Sequence, residues 1–125
     1  MRIALYHNLP SGGAKRTVYE SVKRLTAQHT VDVFTLATAN AEFCDLRPLV
    51  RRHTVLPFQP SRQVGCPFGR ANRLYRWQEL RRLKRVNAQV AKQINAEQYD
   101  VVLVHPCRFT QAPALLTALT VPAVY

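Results

Sequence analysis

Acid is what this chain has least of: its 125 residues carry seven Asp and Glu against eighteen Lys and Arg, a formal net charge of +11. No pair of carboxylates stands at the ligand edge predicted below, so hydrolysis by two catalytic carboxylates is disfavoured. Glycine is scarce as well, with four residues. None of them builds the G-x-G-x-x-G run of a dinucleotide fold, and the second predicted strand ends Thr35-Leu36-Ala37-Thr38 without the acid that would take a ribose. A P-loop is excluded too, because Gly13-Ala14-Lys15-Arg16-Thr17 lacks the G-K-[ST] ending and the earlier glycine. The three cysteines, Cys44, Cys66 and Cys107, are irregularly spaced with no C-x-x-C pair. That removes a zinc ribbon and a dithiol redox motif, predicts no metal, and reads as free thiols in a reducing compartment. Ile3–Tyr6 is too short for a signal-peptide core, and no other run could span a bilayer. A cytoplasmic chain is expected, and one of this length makes one domain with a real core.

What is present is unevenly placed. Between Arg47 and Lys92 lie twelve Lys and Arg and one acid, Glu79, while the remainder balances six against six. The basicity therefore belongs to one region.

Hydrophobic patterning predicts an α/β chain. Arg2–Tyr6 reads as a buried strand, and Ala14–Gln28 as a helix with Val18, Val22 and Leu25 on one face. Thr30–Leu36 alternates Val31, Val33 and Thr35 against Asp32 and Phe34, a second strand, and Arg51–Leu56 is a weaker third. Pro57, Pro60, Gly65, Pro67 and Gly69 mark a long loop of the kind that often serves function. A long helix follows over Ala71–Ala96, with Leu80, Leu83, Val90 and Ile94 on one face and Arg81, Arg82, Arg85 and Lys92 opposite. Asp100–Val104 is a continuous apolar run, as expected of a central parallel strand covered on both sides. Ala112–Leu119 reads as a further helix and Val121–Tyr125 as the start of another strand. Helices between most strands imply a doubly wound, mostly parallel, Rossmann-like sheet of about five strands. Strand order 3-2-1-4-5 places the first and fourth strands together at the switch point, with ligands beyond their C-terminal ends.

Those ends carry the candidate site. The opening strand leads through His7-Asn8 into Gly12-Gly13 and a helix. A helix start presents unsatisfied N–H groups and about half a positive charge, and glycine lets a phosphate approach closely. The fourth strand runs into His105-Pro106-Cys107-Arg108. His7 and His105 could bond a sugar hydroxyl or a phosphate, or act as a general base; each alone would equally suit a histidine bonded to backbone at a strand end. His29 and His53 read as structural or solvated.

The basic helix admits three readings. Its arginines form a solvated face opposite the core stripe. Alternatively they dock an anionic membrane surface, helped by Phe68, Tyr75 and Trp77 beside Arg70, Arg73 and Arg76. Nucleic-acid binding fits least, because no recognised module accompanies the charge.

Taken together, HNLPSGGAKR opening a helix, HTVDVFTL as a second strand, and YDVVLVHP at the end of a central strand resemble the N-terminal domain of family-four-type retaining glycosyltransferases of GT-B fold. The resemblance covers nearly the whole chain. It implies transfer of a sugar from a nucleotide-sugar donor to a glycan or lipid-linked acceptor, with retention and without a metal. It implies that Gly12 and Gly13 face the donor diphosphate or transferred sugar, and that His7, Asn8, His105 and Arg108 line the acceptor side of the cleft. Members acting on lipid-linked acceptors at the inner membrane face suggest peripheral docking through Arg70, Arg73, Arg76, Trp77, Arg81, Arg82 and Arg85. The family's second, donor-binding domain and its paired glutamates have no counterpart in this sequence. The chain alone is therefore expected to be inactive: a fragment, or one half of a split enzyme whose C-terminal domain is separately encoded. The alternative from another class is a non-catalytic basic module for anionic membrane lipid or nucleic acid.

Overall fold

The computed structural model describes residues 1–60 and 71–125, and of Ala71 and Asn72 the backbone only. Arg70, together with Cys66, Phe68 and most of the predicted long loop, lies outside the described residues. Five strands form one sheet: β1 (Arg2–Asn8), β2 (Thr30–Leu36), β3 (Arg52–Leu56), β4 (Val101–Cys107) and β5 (Ala123–Val124). Their order is β3-β2-β1-β4-β5, every pairing is parallel, and the predicted 3-2-1-4-5 arrangement is the one found.

Two helices cover the sheet from opposite sides. α1 (Gly13–Leu25) turns Val18 and Val22 onto Ile3, Leu5, Val31 and Val33. α2 (Ala71–Asn95) turns Leu83, Val90, Ala91 and Ile94 onto Ala4, Tyr6, Phe34, Leu36, Val102 and Val104. Burying β1 and β2 on both faces explains why Ile3–Tyr6 runs apolar without alternation, since each face of such a strand meets a helix. Both sets of the alternation expected in β2 are buried: Val31, Val33 and Thr35 on one side, Phe34 and Asp32 on the other.

Three boundaries differ from expectation for local reasons. β1 continues through His7 to Asn8 because the Asn8 side chain is held at both ends, donating to Cys107 Sγ at 3.2 Å and accepting from Thr38 Oγ1 at 3.0 Å. β4 continues past Pro106 to Cys107, and the β1–β4 register shifts between Tyr6 and Asn8, an irregularity of the kind that admits a proline lacking its N–H. The helix expected at Ala112–Leu119 is a single 3-10 turn, Ala114–Thr117, because Pro113 opens it and so short a segment gains too little from helical bonding. Its Leu115 is buried against the α2 side of the core.

The N-terminal edge of the sheet is tied by an ionic knot. Arg51 grips Asp32 with two hydrogen bonds, Nε to Oδ1 at 2.9 Å and Nη2 to Oδ2. Tyr99 donates to the same carboxylate at 2.8 Å, while Glu97 receives Arg2 and Arg52. Arg2 lies over the Tyr99 ring, 4.6 Å from its centroid. Burial alone would raise the Asp32 pKa, but the hydrogen bonds from Arg51 and Tyr99 and the nearby guanidiniums hold it below the usual carboxylate range. Tyr99, desolvated and bonded to that carboxylate, is pushed up to about 12.

Candidate functional site

The opposite, C-terminal edge carries the predicted site residues. Gly12 caps α1 at φ 138°, a backbone conformation that side-chain-bearing residues rarely adopt. Gly13 begins the helix, and no heavy atom beyond its own neighbours lies within 4 Å of where a Cβ would stand on either glycine. No side chain caps the helix and no acid occupies its first turn. Its opening N–H groups and dipole thus face open space with their positive end uncompensated. Gly13, Arg16, Thr17 and Glu20 line an open groove running along α1 from this point.

The four residues expected on the acceptor side separate into two environments. His7 and Asn8 are fully buried, and Asn8 spends its side chain joining β1, β4 and the loop after β2. Arg108 is exposed, donates from Nη1 to the Thr38 carbonyl at 3.3 Å and lies over Phe109. His105 is half-buried on the α1 side of β4, where it joins Pro106, Leu103, Val124 and Tyr125 around an open apolar recess. Burial depresses its pKa. The edge therefore brings His7 and His105 onto neighbouring strands, as expected, but only His105 and Arg108 reach the surface.

His7 opens instead into a small chamber of about 80 Å³ under the loop that follows β2. Lys15, Thr35, Asn40, Asp45 and His53 share its walls. Lys15 sits on the buried stripe of α1, one turn before Val18, and its ammonium donates to the Asn40 carbonyl. His53 pairs across the sheet with Val33, which brings its Nε2 to 3.0 Å from Thr35 Oγ1. Burial first, then the charges of Lys15, His53 and His105, drive the His7 pKa down to about 3. Burial and Lys15 likewise lower that of His53. The sequence reading took His53 as structural or solvated and gave Lys15 no site role; a lysine on the apolar stripe of α1 is the signal that could have pointed to the chamber.

The third feature is the first half of α2. Among the residues expected to dock a membrane, Arg73, Arg76, Trp77, Arg81, Arg82 and Arg85 are all exposed. Leu74, Trp77 and Leu80 are exposed too, at 61%, 50% and 42%, so the apolar stripe outruns the sheet it packs on. Arg81 stacks on Trp77, 3.9 Å from the ring centroid. Beneath this segment lies a largely apolar groove of about 290 Å³ between Phe58, Phe109, Leu80 and Leu83, with Arg76 and Glu79 at its side. Arg82 holds Glu79 Oε1 at 2.8 Å. Among the described residues, no group of three His, Cys, Asp or Glu is placed to hold a metal, and no helix is long and apolar enough to cross a membrane.

Known proteins locate the fold and the family. The chain is similar to two structures of the C-terminal domain of a hydrogenase from Pyrococcus furiosus, spanning residues 78–226 and 83–215 of that protein. Each is 19% identical and aligns over 98% of this chain and 88% of the other, with TM-scores of 0.60 and 0.57, a likeness of fold alone. No curated protein matches the sequence. Residues 12–125, starting at the first glycine of the exposed pair, match the profile of the glycosyl transferase 4-like domain. The chain belongs to the glycosyl transferase 4-like domain family, whose membership implies sugar-related substrates.

Proposed function

We propose that this chain is the N-terminal, acceptor-side domain of a retaining glycosyltransferase that takes its sugar from a nucleotide-sugar donor. The observation that carries the reading is the uncapped, acid-free start of α1 at Gly12-Gly13, open to approach at the ligand edge of a parallel sheet. A diphosphate there would accept hydrogen bonds from main-chain N–H groups and lie in the positive field of the helix. Half-buried His105 and exposed Arg108, at the neighbouring strand end, are placed to meet the acceptor. Transfer requires donor and acceptor held together away from water. The open glycine edge supplies one wall of such a cleft, so a donor-binding domain must supply the other, and the chain by itself is inactive. The exposed Leu74, Trp77 and Leu80 among arginines on α2 support docking on an anionic membrane, where a lipid-linked acceptor would be presented.

Reconstitution with a donor-binding domain tests the reading. Sugar transfer should appear only in the mixture, with the anomeric configuration kept, and Gly13→Val should abolish it. Turnover of a nucleotide-sugar by the chain alone contradicts the claim of inactivity. The same α2 segment favours the second reading, a non-catalytic anionic-lipid module. Co-sedimentation with phosphatidylglycerol vesicles at low and high salt addresses it: binding that is absent or indifferent to salt removes electrostatic docking from both readings.

A further inference from the structure

The chamber beside His7 has a donor-rich wall that the glycosyltransferase reading does not use. The Leu9 N–H points at His7 Nδ1 from 3.4 Å, which assigns the lone pair to Nδ1. A neutral imidazole then carries its proton on Nε2. That atom is fully buried and has no partner among the described residues, although the residue is 1% exposed. It is a donor in search of an acceptor, and leaving it unmet is costly. Lys15 adds to the imbalance. Its ammonium has three donors, and one is spent on the Asn40 carbonyl. Asp45, the one acid on the wall, is already held by Arg47 through its backbone N–H at 3.0 Å and its Nε at 2.9 Å.

We propose that the chamber between His7, Lys15 and His53 binds a tetrahedral oxyanion of the phosphate class, as free phosphate or as the terminal group of a phosphate monoester. An oxyanion offers acceptors on every side, which is what this wall lacks. The size agrees. At about 80 Å³ the space exceeds the roughly 30 Å³ of one liquid water and falls well short of the roughly 300 Å³ at which sites for drug-sized molecules begin. A cation does not suit it, because the Lys15 ammonium lies in the wall and no triad of metal-ligating side chains is present among the described residues. The depressed protonation of His7, Lys15 and His53 fits the same picture: each is disfavoured by burial, and His7 and His53 also by the charge of Lys15, which an anion would offset.

The inference does not rest on sugar transfer, and its test uses no sugar nucleotide. Long-range proton–nitrogen NMR of the histidine rings in the 125-residue chain is recorded while inorganic phosphate or glycerol 3-phosphate replaces chloride at constant ionic strength. The groups facing His53 are His7, Lys15, Arg47, Asp45 and Thr35. An anion among them should raise its titration midpoint by about 1 to 3 pH units. At neutral pH the His7 Nε2–H signal should move in the unsubstituted protein, a readout that needs no variant to fold. Lys15→Met should abolish both responses. Response to inorganic phosphate alone assigns a free-ion site, and response to both probes assigns an ester site. Silent histidines with either probe overturn the proposal, as does an unchanged response in Lys15→Met. Movement confined to the Gly12 and Gly13 amides overturns it as well, by placing the anion at the start of α1, and leaves the glycosyltransferase reading standing.

Discussion

The two ends of one sheet treat charge in opposite ways. At the N-terminal edge, Asp32 and Glu97 are answered by Arg2, Arg51 and Arg52, and the Tyr99 hydroxyl closes the network. At the C-terminal edge, Lys15, His7 and His53 crowd together with one acid between them, and that acid is already taken by Arg47. Both ends draw on β1, β2 and β3, to which the lower adds Glu97 and Tyr99 from before β4 and the upper Lys15 from α1. The difference lies in completion. The lower network completes the pairing of both its acids and leaves one buried donor, Arg2 Nε, without a partner among the described residues, whereas the upper one leaves His7 Nε2 and part of the Lys15 ammonium for a ligand to satisfy. Structural polar clusters and binding clusters are thus told apart by their unmet partners rather than by their number of charges.

A large effect should come from breaking the completed end. Asp32→Ala removes the acceptor of the buried Tyr99 hydroxyl and the carboxylate that half-exposed Arg51 grips, and should cost about 1–3 kcal/mol in urea unfolding at pH 7. A loss below about 1 kcal/mol would show the knot to be ornamental and would erase the contrast.

A comparable effect comes from acid acting on the incomplete end. The His7 pKa lies near 3 in the folded chain against an ordinary 6.5, so below pH 6.5 the unfolded chain binds a proton that the folded chain refuses. Stability should therefore fall as pH drops from 6.5 towards 3. Between pH 7 and pH 4.5 the loss should reach about 2–3 kcal/mol. His53 and His105, also depressed, act in the same direction. Asp32 does not interfere, because its depressed pKa keeps it ionised across that window and its contribution is lost only at lower pH. His7→Asn should flatten the profile, and an equally steep one in that variant would assign the acid sensitivity elsewhere.

The smallest change in stability belongs to Gly13→Ala. The new methyl meets no neighbour, and alanine favours a helix over glycine, so the chain should gain up to about 1 kcal/mol. Yet the same methyl should obstruct a diphosphate approaching the helix start in the reconstituted enzyme. Calorimetric stability and donor affinity should move in opposite directions, and a joint loss of both would mark Gly13 as a packing residue.

Much of the frame is legible in the sequence. The central place of the fourth strand followed from its apolar run, because strands covered on both faces are apolar without alternation. The glycine pair was legible because a helix start leaves few other uses for it. The burial of Asp32 was not legible, because the sequence cannot show that Arg2 at the start of β1 and Arg51 and Arg52 at the start of β3 converge on it. The chamber escaped for a similar reason. His53 meets Thr35 only through the β2–β3 register, which two separate segments set together. Only Lys15, breaking the Val18–Val22 stripe, gave local notice.

One dimension of the fold has a consequence of its own. α2 holds 25 residues, about 38 Å of helix, whereas the longest strands hold seven, about 23 Å. The helix descends against the upward strands, so its surplus length stands over the ligand edge like an eave, and packing on the sheet begins at Leu83. An eave fixes a distance. Any flat surface that rests on Leu74, Trp77 and Leu80 is kept a set height above the glycine edge, and the tilt at which the sheet meets that surface is decided by the length of one helix.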